Sequence, residues 1–277
     1  MEIMPADPDP QRDGHVARPI ARHRGGAQSA GLDTVAEEVP VALVFNGISH
    51  AVMMATPRDL EQFALGFALT EGVVRQAADV YDIEVELGAA SAAVIVTIAQ
   101  QDFMRLKQHR RTLAGRTGCG VCGIDSLELL DLHPEPMSAS GLPITLAPAL
   151  ARASAELASH QALMSLTGGV HGAAWCAADG AIVKLFEDVG RHNAMDKLIG
   201  HLARERIDMR QGFVFMSSRA SYELARKASR MHIPMLATIS APSSLAIDIA
   251  QRAGMKLVSF CRKDGFVDYT PALAFGV

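Results

Sequence analysis

Two of the chain's four cysteines fall within one tetrapeptide, Cys119-Gly-Val-Cys122, inside the stretch TGCGVCGIDSLELL from Thr117 to Leu130. Such a pair can hold a metal, form a redox disulfide or carry a nucleophile. A structural zinc site needs four ligands, and only one C-x-x-C is present. Cys176 and Cys261 stand alone in apolar runs that read as buried strands, where a free Cys is a small hydrophobe. His171 and His192 have no helpful spacing, which leaves open a metal shared by two chains. A catalytic disulfide needs a held geometry, yet Gly115, Gly118, Gly120 and Gly123 surround the thiols and no strand immediately precedes them. A nucleophilic thiolate has more support. From Phe103 to Ile124 there is no acidic residue, while Arg105, Lys107, Arg110, Arg111 and Arg116 supply positive charge. Asp125 and Glu128 have capping-box spacing, so the thiols precede a helix N-terminus. Both features lower a thiol pKa. The charge run could instead be a solvated face with incidental thiols, but paired cysteines in a glycine loop pack poorly.

A second set of chemistry-bearing residues is spread over the C-terminal half. Junctions between apolar runs carry TGG (167–169), EDVGRHN (187–193), SSRAS (217–221), SAPSS (240–244) and FCRKDG (260–265). In open α/β sheets, ligands bind beyond the carboxyl ends of strands, where helix N-termini present free amides to anions. Arg191, Lys197, Arg219, Arg262 and Lys263 add charge suited to phosphates. Ser or Asp before a helix is ordinarily just a cap. Recurrence at successive junctions is what points to a nucleotide-like ligand. None of them is a Walker loop or a dinucleotide fingerprint. Zinc deaminases pair H-x-E with P-C-x-x-C, whereas His171 is followed by Gly172-Ala173 and Gly118 precedes the cysteine pair.

The elements that position these residues are legible in part. Residues 1–33 are rich in Pro, Gly, Asp and Arg without apolar periodicity, and read as a disordered arm. Two apolar runs flank Asn46-Gly47, a hairpin signal. Thr56-Pro57 offers an N-cap for a helix to Thr70, with Leu60, Phe63, Ala64 and Phe67 on one face. Residues 80–99 read as two strands, and the linker at 133–143 separates a unit at 34–143 from one at 144–277. In the second unit, residues 148–166 read as a helix, and two strands flank Asp179-Gly180. Helices and strands then alternate to a strand at 255–261 and an edge strand at 265–270. That order argues for a mostly parallel sheet covered by helices.

The chain has 277 residues and net charge −4, so it is large enough for a substantial core and non-specific nucleic-acid binding is not expected. It contains no apolar run of membrane-spanning length and no signal-peptide pattern, which points to the cytoplasm.

Cys119-to-Gly123 (CGVCG), TGGVH (167–171), EDVGRHNAMDKLIG (187–200), SSRASYEL and SAPSSLAI together resemble the formate dehydrogenase accessory sulfurtransferases, the FdhD family. The likeness runs from about Val41 to Thr270. Thr117-Gly118 stands where Ser-Ser or Ser-Cys is commoner, and Gly172 where Ala is usual. The resemblance implies an α/β protein: a cytidine-deaminase-like C-terminal domain, a mixed sheet covered by helices without the zinc site, and a smaller α+β N-terminal domain. It implies sulfur taken as a persulfide from a cysteine desulfurase and passed to the molybdenum bis(molybdopterin guanine dinucleotide) cofactor before insertion into formate dehydrogenase. By position, Cys119 is similar to the persulfide-bearing cysteine and Cys122 to its partner. Phe260, Cys261, Arg262, Lys263, Asp264 and Gly265 match the cofactor-binding segment, with Arg191, His192, Ser217 and Arg219 expected to line the same site. No resident metal and a homodimer are expected. The alternative is a cofactor chaperone that transfers no sulfur.

Overall fold

The structure, a computed structural model, describes residues 12–112, 134–137, 142, 144–262 and 264–273. The chain opens with an antiparallel ribbon, β1 (His15–Arg24) and β2 (Ala27–Ala36). The reading of residues 1–33 as disordered is therefore corrected for the ribbon's part. Its strands were missed because neither face is buried along most of its length, so no apolar alternation marks them.

Four strands then form a sheet in the order β4-β3-β6-β5: β3 (Val39–Phe45), β4 (Ile48–Ala55), β5 (Val80–Leu87) and β6 (Ala92–Ile98). The Asn46-Gly47 turn has φ of 44° and 80°, the paired positive values a tight hairpin turn requires. One face of this sheet is buried through Val41, Leu43, Phe45, Val94 and Val96, which alternate with half-exposed residues. Helix α1 (Leu60–Thr70) covers it, and α2 (Gln100–Thr112), a helix the sequence reading did not include, follows β6. Thr56 does not cap α1. Asp59 stands at the N-cap position, with φ 55° and no capping bond from its side chain, while Thr56 is buried in contacts described below.

The remaining elements are α3 (Leu146–His160), α4 (Ala162–Thr167), β7 (His171–Ala177), β8 (Ile182–Asp188), α5 (Arg191–Arg204) and β9 (Gly212–Met216). After them come α6 (Tyr222–Arg230), β10 (Met235–Thr238), α7 (Ser244–Ala253), β11 (Lys256–Arg262) and β12 (Gly265–Asp268). Their strands make a sheet in the order β12-β11-β10-β9-β7-β8. Only β9, β10 and β11 pair in parallel; β7–β8 and β11–β12 are hairpins, and β7 also meets β9 antiparallel. The sheet is thus mixed, not mostly parallel. The single helix expected over 148–166 is two, broken at Gln161. Residues of α5, α6 and α7 fill one face with Ala173 and Trp175; α3 fills the other with Ala174 and Cys176.

The units expected at 34–143 and 144–277 each hold one sheet, but their cores merge. Helices α1 and α5 lie between the sheets, and one apolar cluster runs from Leu43 and Phe63 to Leu198 and Leu236. The helices touch through backbone: a Cβ on Gly66 would stand 1.8 Å from the Asp196 carbonyl oxygen, and one on Gly200 would stand 1.9 Å from that of Gln62.

Candidate functional site

Strand direction decides where the polar junctions go. β8, β9, β10 and β11 run the same way, so the segments after them emerge on one edge of the sheet. β7 and β12 run oppositely and begin at that edge, which adds His171 and Gly265. All five segments singled out in sequence therefore converge. Three helices also start here: α5 after Gly190, α6 after Ser221 and α7 after Ser243, whose hydroxyl accepts from Ala246 N. Their free amides and dipoles make the edge attractive to anions.

The loops are stitched together. Ser217 N donates to Gly172 O at 3.0 Å, and the Ser217 hydroxyl accepts from Gly172 N at 2.8 Å. Ala220 bridges Pro242, which continues the β9–β10 direction into the loops. Thr238 donates to the Ser240 carbonyl, so the Ser259 hydroxyl donates to Thr238 Oγ1, 2.7 Å away. Phe260 has φ 53° beside an irregularity in the β11–β12 pairing and is 38 % exposed. A bulky residue in left-handed backbone is strained and is found at ligand-facing positions.

The edge carries Arg191, Arg219 and Arg262 alongside Glu187, Glu223 and Asp264. Arg219 and Arg262 are exposed with no ion-pair partner among the described residues. Arg191 Nε is buried without a hydrogen-bond partner there, and Asp264 is exposed. Nearby acids are engaged: Glu187 accepts from Leu163 N and Met164 N, both at 2.8 Å. Glu223 lies 3.6 Å from His192 Nε2, and this imidazole holds its carboxyl at about 2. Ser221 Oγ is 3.5 Å from the same His192 nitrogen, so Ser, His and Glu do not form a relay through both ring nitrogens. His171 titrates below its ordinary value because it is partly desolvated and lies near the Arg191 guanidinium.

Some residues read as ligand-facing are not. Lys197 is fully buried, 2.6 Å from Asp188 Oδ2, and donates to Thr56 O at 3.1 Å. Asp188 also accepts from Thr56 N, Gly190 N and Asn193 Nδ2. Lys227 reaches both Asp196 oxygens at 2.9 Å, Thr70 Oγ1 at 2.8 Å and Glu71 at 2.7 Å. These two clusters join the segment before α1 and its C-terminal end to the second sheet unit. The signal was available: with apolar Ala194, Leu198 and Leu202 on α5 already facing a core, Asn193, Asp196 and Lys197 take the sides covered by the first unit. Cys261 is 1 % exposed, its thiol pushed up to about 12 by burial, which leaves its backbone alone for a ligand. Cys119, Cys122 and Lys263 lie outside the described residues. Among the described residues no group of three His, Cys, Asp or Glu could hold a metal.

The profile of the FdhD/NarQ family matches residues 36–274. This chain belongs to that family. A sulfur carrier protein FdhD from Chromobacterium violaceum is 60 % identical over 265 residues, 95 % of this chain and 98 % of its own. One from Burkholderia mallei is 61 % identical over 264 residues, 94 % and 96 % of the two chains. A solved structure of a candidate formate dehydrogenase accessory protein from Desulfotalea psychrophila superposes with TM-score 0.70, covering 92 % of this chain and 96 % of that one at 24 % identity, a likeness of fold. The resemblance read from the motifs is thus shown.

Proposed function

We propose that this FdhD-family chain is a sulfur carrier in formate dehydrogenase maturation, and that the strand edge holds the acceptor, molybdenum bis(molybdopterin guanine dinucleotide). The convergence of five polar segments, three helix N-termini and three arginines on one edge carries the reading, since the acceptor's diphosphates need such donors. Cys119 thiolate attacks the sulfane sulfur of a cysteine desulfurase persulfide, and the desulfurase cysteine leaves as thiolate. Cys122 thiolate then attacks Cys119 Sγ, so hydrosulfide departs toward molybdenum and a Cys119–Cys122 disulfide remains. A dithiol reductant resets the pair. The six-stranded unit is read as deaminase-like without zinc, the chain as a cytoplasmic homodimer. No helix among the described residues is long and apolar enough to cross a membrane.

The test joins mass spectrometry to enzyme activity. After incubation with desulfurase and cysteine, wild type should gain one sulfur atom at Cys119. Cys119→Ala should stay folded and soluble yet leave cellular formate dehydrogenase inactive. Normal activity with that variant would replace the sulfur carrier with a chaperone that only holds the cofactor.

A further inference from the structure

The β1–β2 ribbon is built like an arm. No third strand pairs with either of its ten-residue strands among the described residues. Its base is fixed: Glu37 N donates to Gly14 O at 2.9 Å, Arg12 pairs with Glu37, and Ala36 packs beside Gly169. Beyond the base both faces are open to solvent, and a lone two-stranded ribbon is marginally stable in water. Register sorts its side chains by face. Ala17, Pro19 and Ala21 with Ala30 and Leu32 make one apolar face, and Leu32 is 68 % exposed. The other face carries Arg18, Arg22 and Arg24 with a single acid, Asp33, and with Val16, Ile20 and Val35 toward its base.

The outer face of the four-stranded sheet has the complementary character. Pro40, Ala42, Val52 and Ala93 line a groove of about 470 Å³, and Val52 and Met54 are 51 % and 49 % exposed. Along it runs edge strand β5, where Asp82, Glu84 and Glu86 are exposed with no cation on the strand. Arg12, at the arm's base, donates to the carbonyls of Gly88 and Ala89, at one end of this groove. A two-fold axis beside that point would set each arm along the other copy's groove, the self-complementary arrangement of closed dimers.

We propose that the ribbon is an exchanged arm that lays its apolar face on the outer sheet face of a second copy of this chain. Its long arginine stems reach past the ribbon's margin to Glu84 and Glu86. The proposal rests on the homodimer reading above and assigns its interface. Sedimentation of the full chain should give a dimer. Leu32→Asp and Val52→Asp, both at exposed positions, should each weaken it at least about tenfold while leaving circular dichroism unchanged. A photo-crosslinking residue at position 32 should join two chains at peptides within 40–54 or 92–97. A monomeric wild type would overturn both the arm and the homodimer. A dimer untouched by either variant would overturn the arm alone, as would a crosslink confined to one chain, including one to residues 1–11.

Discussion

Arg262 and Arg219 stand at loops on either side of the one after β10, with no ion-pair partner among the described residues, and a charge-assisted phosphate contact there contributes about 1.5–3 kcal/mol. Calorimetric titration with GDP, a fragment of the proposed acceptor, should therefore show Arg262→Ala binding roughly ten- to a hundredfold more weakly, with sulfur loading at Cys119 intact. Equal affinity would remove Arg262 from the site. Phe260 offers a sharper test, because its left-handed backbone is a local cost that only a role for the ring justifies. Phe260→Gly should raise stability in urea by up to about 1 kcal/mol while lowering GDP affinity. A variant that gains stability and keeps affinity would assign the strain to the hairpin turn alone.

At the scale of elements, α1 and α5 decide the packing. Gly66→Ala forces a methyl into the Asp196 carbonyl, so despite the better helix propensity of Ala it should lose about 1–3 kcal/mol in urea denaturation. The buried cluster under α1 titrates in the acid range. Burial alone would raise the Glu71 carboxyl, but Lys227 and Arg226 overcome this and hold it at about 2 against an ordinary 4.5. A carboxylate depressed on folding stabilises above its unfolded pKa, and that contribution is lost as pH falls from about 4.5 toward 2. Buried Asp196 shifts upward through desolvation and works in the opposite sense. Glu71→Gln should thus flatten the fall in melting temperature across that acid window; an unchanged slope would mean the cluster does not govern it. Much of this layer was legible: Asn46-Gly47, Asp179-Gly180 and the alternating helices and strands after residue 171 matched their elements. Helix α2 was not, because its polar residues hide the apolar pair Phe103 and Leu106, and neither was Asp188, whose side chain looks solvent-facing until α1 is placed against it. Sequence spacing showed the polar segments singly; only strand direction shows that they share an edge.

At the scale of the whole molecule, the sheets meet through glycine contacts and two ionic clusters, and the core around α1 and α5 belongs to both units. Elemental analysis should find well under one zinc per chain, given a single C-x-x-C pair and no Glu two residues after His171; stoichiometric zinc would revive the metal-site reading. The backbone contact between α1 and α5 also makes the chain a natural candidate for splitting into two polypeptides. Cut between Met137 and Leu142, each fragment would present to water the apolar surface its counterpart normally covers. Produced separately, both should collect in inclusion bodies. Co-expressed, with an affinity tag on one, they should emerge as a soluble one-to-one pair, a bipartite protein reconstituted by complementation.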